Sequence, residues 1–250
     1  MICEISEEKV EWSETKDVLC TFQDVELTKP GFKSNKTDES VTVLIARYQY
    51  NLEYLPDEIG SVLPNVKSIL VMGTSLKAIS KENFIGLNNL VQLKLANNQI
   101  ATIAEGSFDD LEEVVTLSLN SNALKTLPLD IFSKMVKLEM LSLSRNELTT
   151  LDKNLFKYNV ELSHLELAQI KLETIDPEIF STLTKLETID MEYNEISHVH
   201  PDMFKSSVNL KDVILSYNNL TTIPIALFSN SPNLFTATLA SNYLNYDYLW

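Results

Sequence analysis

Hydrophobic residues recur along this chain at a fixed spacing. The stretch Leu90–Ile103 shows it most clearly, with apolar or asparagine residues in the order L-x-x-L-x-L-x-x-N-x-I-x-x-I. Its first part alternates apolar and polar residues, which predicts a short strand whose fourth and sixth positions face inwards. The same pattern starts again in steps of 24 residues, at Val66, Val114, Leu138, Leu162, Leu186, Leu210 and Leu234. Positions are numbered below from the first residue of each copy.

A period of 24 residues with this spacing is typical of leucine-rich repeats. We therefore predict an α/β leucine-rich repeat solenoid: a curved, right-handed coil of about nine repeats with a parallel β-sheet on its concave face. The repeats are predicted to cover residues 41–244. The first of them has a one-residue insertion between Arg47 and Asn51, because its step to Val66 is 25 residues. Residues 245–250 are predicted to be a tail that leads into a further segment.

Two more positions repeat strictly. Position 9 needs a side chain that can donate and accept hydrogen bonds, because the chain turns inwards there. It is asparagine at Asn98, Asn122, Asn146, Asn194, Asn218 and Asn242. Thr74 can partly replace the asparagine, whereas Ile170 is interpreted as an apolar filler or as an irregularity that bends the solenoid. Position 19 is expected to fill the back of each coil with a ring, at Phe84, Phe108, Phe132, Phe156, Phe180, Phe204 and Phe228.

Residues 1–40 do not follow the repeat and are predicted to form a small N-terminal cap that includes a hairpin. Cys3 and Cys20 both lie there, which suggests a disulfide; the alternative is a pair of reduced thiols in a cytosolic protein. The triplets that begin at Asn35 and Asn219 fit the N-glycosylation pattern. No apolar run is long enough to cross a bilayer, so we expect no membrane insertion in this segment.

The net charge and the missing catalytic motifs argue against several classes of function. Thirty-five acidic against twenty basic residues give a formal net charge of −15, which disfavours a nucleic-acid partner. The G-x-S-x-G, H-E-x-x-H and P-loop motifs are missing, and His198 and His200 have no third ligand fixed nearby, so they are interpreted as solvated surface. We therefore expect neither enzymatic activity nor a cofactor or bound metal.

Binding is expected on the concave sheet face, which we define as positions 3, 5, 7 and 8 of every repeat. Repeats six to eight place an acidic cluster with two tyrosines there, and this acidic patch suits a basic protein partner. It consists of His164, Glu166, Asp190, Glu192, Tyr193, Asp212 and Tyr217. Repeats one and two form an apolar patch of Val43, Ile45, Tyr48, Leu70 and Met72. The alternatives are a solvated face and cover by the cap, and repeats three to five look like a plain polar centre.

The 24-residue form with phenylalanine at position 19 resembles the "typical" class of extracellular leucine-rich repeat. The cysteine pair and the run Ile79–Leu87 are similar to arthropod Toll-ectodomain and secreted mosquito immune proteins. The resemblance implies extracellular recognition of a protein ligand or co-receptor, in innate immunity or cell-surface signalling, with homo- or heterodimers among its members. Two alternatives stay open: an adhesive or structural scaffold in matrix or at cell contacts, and a cytosolic enzyme inhibitor.

Overall fold

The computed structural model describes residues 3–8, 17–22 and 39–245. Its helical elements are short: α1 (Ile59–Val62) and a 3₁₀ turn (Ile225–Phe228). The strands are β1 (Cys3–Glu8), β2 (Asp17–Phe22), β3 (Val43–Arg47), β4 (Ser68–Met72), β5 (Ala78–Ile79), β6 (Gln92–Lys94), β7 (Thr102–Ile103), β8 (Thr116–Ser118), β9 (Met140–Ser142), β10 (His164–Glu166), β11 (Thr188–Asp190), β12 (Asp212–Ile214) and β13 (Thr236–Thr238).

The main sheet confirms the predicted solenoid. Its eleven strands run in the order β1-β2-β3-β4-β6-β8-β9-β10-β11-β12-β13, and all neighbours from β2 onwards are parallel. From β4 onwards each strand pairs with the residue 24 positions further on, for example Leu93 with Leu117 and Leu165 with Ile189. Each repeat therefore adds one strand in constant register. Strands β5 and β7 pair in parallel and form a second, two-stranded sheet that is separate from the main sheet.

The interior is built from the predicted apolar positions. Leu165 and Leu167, at positions 4 and 6 of their repeat, are fully buried, as are their counterparts in the neighbouring coils. The phenylalanines of position 19 stack along the back, with ring centroids 6.3 Å apart for Phe132–Phe156 and 5.9 Å for Phe180–Phe204. The phenylalanine ladder is thus a structural spine.

The asparagines of position 9 connect consecutive coils. Asn146 is a representative case: its amide nitrogen donates to Leu119 O at 3.0 Å and Leu143 O at 2.7 Å, and its Oδ1 accepts from Leu124 N at 3.0 Å. Each such side chain therefore bonds three backbone groups in two adjacent coils. Because these groups are buried, the ladder removes a cost of desolvation at every turn.

The two exceptions at position 9 behave differently. Thr74 substitutes in part, because both its N–H and its hydroxyl donate to Asn98 Oδ1. Ile170 is fully buried, and its N–H donates to Asn194 Oδ1 at 3.0 Å. Its neighbours Gln169 and Lys171 both have positive φ, so this is the one turn where position 10 is also left-handed among the described residues. Ile170 therefore fills the core as an apolar residue, and its turn also has a local backbone irregularity.

Position 8 has a left-handed backbone in all nine repeats of residues 39–245, which the sequence pattern did not indicate. The residues are Tyr48, Gly73, Asn97, Ser121, Arg145, Gln169, Tyr193, Tyr217 and Ser241, with φ between 55° and 64°. Only one of them is glycine, although this region is unfavourable for other residues. The shared conformation makes position 8 the edge at which the chain leaves the sheet and turns inwards.

The first repeat and the cap extend the same sheet. Leu52 and Leu55 are buried one residue later than the template places them, in agreement with an insertion after Arg47. Strands β1 and β2 form an antiparallel hairpin, and β2 pairs in parallel with β3. The backbone of the hairpin therefore adds two strands at the edge of the first repeat.

Candidate functional site

The acidic patch lies on three consecutive strands. Glu166 on β10 and Asp190 on β11 are register partners, so two carboxylates of the same charge face each other across neighbouring strands. Asp212 on β12 pairs with Thr188, two residues before Asp190 along β11. The side chain of Glu166 is exposed, and those of the other two acids are half-buried. The fold therefore brings together residues that are separated by 24 positions in the chain.

His164 and Glu192 complete the polar part of the patch. His164 lies at the start of β10, and its Nδ1 is 2.8 Å from the Ser163 hydroxyl, which orients the ring. Glu192 follows β11, and its N–H donates to Asp190 Oδ1 at 2.9 Å. This hydrogen bond fixes the Asp190 carboxylate in the turn.

The Asp190 carboxyl is in an unfavourable place for a negative charge. Partial burial raises its pKa above the ordinary value. The hydrogen bond from Glu192 N–H opposes that shift, and the charge of Glu166 adds to it. A positive charge brought to this point would stabilise both carboxylates.

The two tyrosines form a single aromatic surface. The rings of Tyr193 and Tyr217 stack with centroids 4.2 Å apart and planes 12° from parallel, and both side chains are about half exposed. They occupy position 8 of successive repeats, so they lie on one edge of the patch. The hydrogen bond with Tyr217 is the main cause that raises the pKa of the Tyr193 hydroxyl, ahead of burial and of nearby negative charge.

Among the described residues, salt bridges neutralise some acids of the solenoid but none of the carboxylates of the patch. The lysine–glutamate salt bridges join adjacent coils, as in Lys137–Glu113 at 2.5 Å and Lys211–Glu187 at 2.7 Å. These lysine–glutamate pairs lie away from positions 3, 5, 7 and 8. The acids Glu166, Asp190, Glu192 and Asp212 take part in none of them.

The apolar patch of repeats one and two is only partly available. Val43 is 2% exposed and Leu70 is 0% exposed, although both lie on the concave sheet face. Together with the half-buried Ile45 and Met72 they form a hydrophobic cluster separate from the main core. Tyr48 is 73% exposed and lies against Gly73. In this state a partner could reach Tyr48 and parts of Ile45 and Met72, whereas Val43 and Leu70 are inaccessible.

A shallow depression of about 190 Å³ crosses the middle of the concave sheet face. It extends over β6, β8, β9 and β10, from Lys94 to His164 and Glu166. Its lining between these ends combines the polar groups of Ser118 and Asn120 with apolar side chains such as Met140. The interpretation of repeats three to five as a plain polar centre missed this feature. Only the side-by-side strands show that a positive residue lies at one end of it and a negative residue at the other.

The structure describes some of the residues that are predicted to be modified, but not all of them. Asn219 is exposed, and its amide nitrogen donates to Glu195 O at 3.3 Å, so the acceptor nitrogen is at the surface. Asn35 lies outside the described residues. The backbone register places Cys3 opposite Phe22 and Cys20 opposite Ile5, so the cysteines are offset by two positions in the same hairpin. The disulfide and both sugars remain predictions.

The described residues contain no group of three or more histidine, cysteine or acidic side chains with a geometry for a metal ion. His198 and His200 are exposed on either side of the buried Val199, which agrees with a solvated surface. No helix within residues 3–8, 17–22 and 39–245 has the length and apolarity to cross a membrane.

Family comparisons match the repeats that the geometry defines. A leucine-rich repeat model matches residues 64–124 and 112–172, and a model for the BspA type leucine-rich repeat region, with six copies, matches residues 146–247. The chain is a leucine-rich repeat protein. A search of curated protein sequences found no match.

Solved structures of Toll-like receptor ectodomains are similar to this leucine-rich repeat chain. The structure of the TLR13–ssRNA13 complex is 26% identical with a TM-score of 0.77, over 83% of this chain and 29% of that one. The Drosophila Toll–Spatzle complex is 22% identical with a TM-score of 0.68, over 83% of this chain and 31% of that one, also in a glycosylated form. The chain thus spans less than a third of these neighbours, and the likeness to Toll establishes the fold alone.

Proposed function

We propose that this leucine-rich repeat protein is an extracellular recognition module of innate immunity or cell-surface signalling. It binds a basic element of a protein partner through the acidic patch of repeats six to eight. The observation that carries the proposal is the pairing of charges. Glu166 and Asp190 are like charges in register on adjacent strands, and no lysine forms a salt bridge with them or with Glu192 and Asp212 among the described residues.

A cationic side chain of the partner would gain two interactions at once. Its charge would lie between Glu166 and Asp190, which repel each other, and the Asp190 carboxylate is already partly desolvated. A second cationic side chain of the partner could stack on the exposed ring surface of the Tyr193–Tyr217 pair through a cation–π contact. Tyrosine is also enriched at protein interfaces, because it provides a large contact area with few rotatable bonds.

The similarity to the TLR13–ssRNA13 complex raises nucleic acid as an alternative partner. The charge of this chain opposes it. A polyanion would meet a molecule with a net charge of −15 and four acids on the sheet face of repeats six to eight. A basic protein surface is attracted by the same charges, which accelerate its association.

The extracellular location in this proposal has a separate test. Expression with a secretory leader followed by mass spectrometry should detect a Cys3–Cys20 bond and a sugar on Asn219 or Asn35. Free thiols together with bare asparagines would contradict the location and would favour the cytosolic inhibitor.

Binding is tested with a short lysine-rich peptide and calorimetry. We expect the double substitution Glu166→Lys with Asp190→Lys to abolish measurable binding, because it replaces two attractive charges by repulsive ones. The matched control is Glu105→Lys with Glu112→Lys, which makes the same change of net charge at exposed acids away from the concave sheet face. Equal loss in the two variants would show that only net charge matters and would contradict the patch.

A further inference from the structure

Most of the exposed large hydrophobic side chains lie on the two sides of the solenoid. Where the chain leaves the sheet, at positions 8 and 10, they are tyrosines. Where the chain approaches the next strand they include Val136, Val160 and Val208 at position 23 and Phe235 at position 2. We call this second side the entry flank and define it as positions 20 to 24 of a repeat together with position 2 of the next.

Equal positions of adjacent coils lie side by side on the entry flank. The salt bridge Lys137–Glu113 shows this for position 24, because it joins two residues that are 24 apart in the chain. The three valines of position 23 therefore belong to one row along the side of the solenoid, which Thr184 completes in repeat six. Every member of this row is exposed, so none of them is covered by the chain itself.

The charge of the entry flank differs from that of the whole chain. From Asp109 in repeat three to Phe235 in repeat nine the flank carries six lysines and seven acids, so it is almost neutral. The whole chain has a net charge of −15, which makes two copies repel each other. The entry flank is therefore a side on which a second copy can approach with little of that repulsion.

We propose that a second copy of this chain packs on the entry flank and forms a two-fold symmetric dimer. The axis runs across the flank between the segments 157–163 and 181–187. It reverses the order of the coils and places each position of one subunit opposite the same position of its partner. A two-fold axis is the commonest symmetry of homo-oligomers, and it brings one surface patch against a second copy of itself.

This axis brings the apolar residues of the flank together. Val136 lies opposite Val208 of the partner subunit, and the half-buried Val115 lies opposite Phe235 of the partner subunit. Symmetry repeats each of these contacts on the other side of the axis. Phe235 is 91% exposed in the isolated chain, so the dimer removes a large apolar surface from water.

The charged residues of the flank agree with the same axis. Glu161 lies opposite Lys185 of the partner subunit, and Glu139 lies opposite Lys211 of the partner subunit. Glu161 and Lys185 already form a salt bridge within the chain, and so does Lys211 with a glutamate of the adjacent coil. The dimer keeps these ion pairs and places opposite charges beside them, so it needs no unpaired charge. Within residues 109–235 no charged residue of the flank faces a like charge at the same position.

The size of the contact determines the expected strength of the dimer. From the segment 109–115 to the segment 229–235 there are five coil-to-coil steps, about 24 Å at 4.8 Å per step. A strip of this length is small for a protein interface. We therefore expect a weak dimer that forms at micromolar concentrations. The acidic patch lies on the concave sheet face and stays accessible in both subunits.

Sedimentation velocity over a range of protein concentrations tests the dimer. The wild-type chain should approach twice its monomer mass as the concentration rises. Val136→Glu and Val208→Lys should each weaken the dimer about tenfold or more, because each places a charge against a valine of the partner. The matched control is Leu129→Glu, at an exposed leucine on position 16 outside the flank, and it should dimerise like the wild type.

A mixture of the two valine variants identifies the axis. A mixed dimer places the new carboxylate of Val136→Glu opposite the new amine of Val208→Lys, so the mixture should dimerise although each variant alone is largely monomeric. Within one subunit the two positions are three coils apart, about 14 Å, so this ion pair cannot form inside a subunit. A mixture that stays monomeric would overturn the proposal. A monomeric wild-type chain, or a Val136→Glu variant that dimerises like the wild type, would overturn it as well.

Discussion

At the scale of single residues, the turn after each strand depends on one asparagine. Asn146 is 4% exposed and bonds Leu119 O, Leu143 O and Leu124 N. We expect Asn146→Ala to lower the free energy of unfolding by about 2 to 4 kcal/mol, because buried backbone groups lose their partners. Chemical denaturation measures this value. The control Asn120→Ala, at a half-exposed position on the sheet face, should change stability by about 0.5 kcal/mol or less; similar losses at the two sites would contradict the role of the ladder.

A second residue-scale prediction concerns Gly73. It has φ of +64°, and a Cβ atom there would lie 3.0 Å from the Tyr48 ring. Gly73→Ala should therefore cost about 1 to 2 kcal/mol, from the left-handed backbone and from displacement of the ring. The double substitution with Tyr48→Ala separates the two causes. The penalty should fall in the Tyr48→Ala background, and an unchanged penalty would show that the ring plays no part.

The residue scale also shows what the sequence could and could not predict. The asparagine and phenylalanine positions follow from periodicity, because each copy of the repeat meets the same neighbours. The burial of Val43 and Leu70 does not follow, because the same template positions are half-buried or exposed in repeats three to nine. The stacking of Tyr193 on Tyr217 depends on the left-handed backbone of position 8. The sequence does not indicate this conformation, because only one of the residues at this position is glycine.

At the scale of elements, neighbouring strands determine the chemistry of each face. Parallel register brings Glu166 beside Asp190, and the pKa of Asp190 is raised by burial and by that charge. The folded state thus binds a proton more tightly than the unfolded state. The charged form of Asp190 opposes folding at neutral pH, and that opposition disappears as the pH falls through the raised pKa.

Substitution of Asp190 by asparagine tests this electrostatic cost. Asp190→Asn keeps an oxygen that can accept from Glu192 N–H, and it should stabilise the chain at pH 7 by up to about 1 kcal/mol, a small value because the site is partly solvated. The advantage should shrink as the pH falls through the raised pKa and should be gone below the ordinary pKa of aspartate. Chemical denaturation at pH 7 and at a pH below the ordinary pKa of aspartate measures the difference in stability. A variant that is less stable than wild type at pH 7 would contradict the argument.

The phenylalanine ladder makes an element-scale prediction about position along the solenoid. Phe156 is fully buried between adjacent coils, whereas Phe228 in the last complete turn is only partly buried. We expect Phe156→Ala to cost about 3 to 5 kcal/mol and Phe228→Ala clearly less. Thermal or chemical unfolding of both variants gives the comparison. Equal costs would mean that the ends of the ladder are packed as tightly as its centre.

At the scale of the whole molecule, the repeat frame and the surface charges follow different rules. The spacing of apolar residues determines the solenoid, and the strands then carry any side chain at the exposed positions. The predicted acidic patch was visible once the copies were aligned. Which acids are neutralised by a lysine needed the structure, because ion pairs such as Lys211–Glu187 depend on which residues of adjacent coils lie side by side.

Carbodiimide labelling of carboxylates, read by mass spectrometry, tests the central claim most directly. The full chain is labelled alone and with the lysine-rich peptide, whose amines are dimethylated so that they keep their positive charge but cannot form amides with the activated carboxylates. We predict that the peptide protects Glu166, Asp190, Glu192 and Asp212 and leaves Glu105 and Glu112 labelled as before. Equal protection of Glu105 and Glu112, or unchanged labelling of all four patch residues under saturating peptide, would contradict the proposal that this leucine-rich repeat protein binds through its acidic patch.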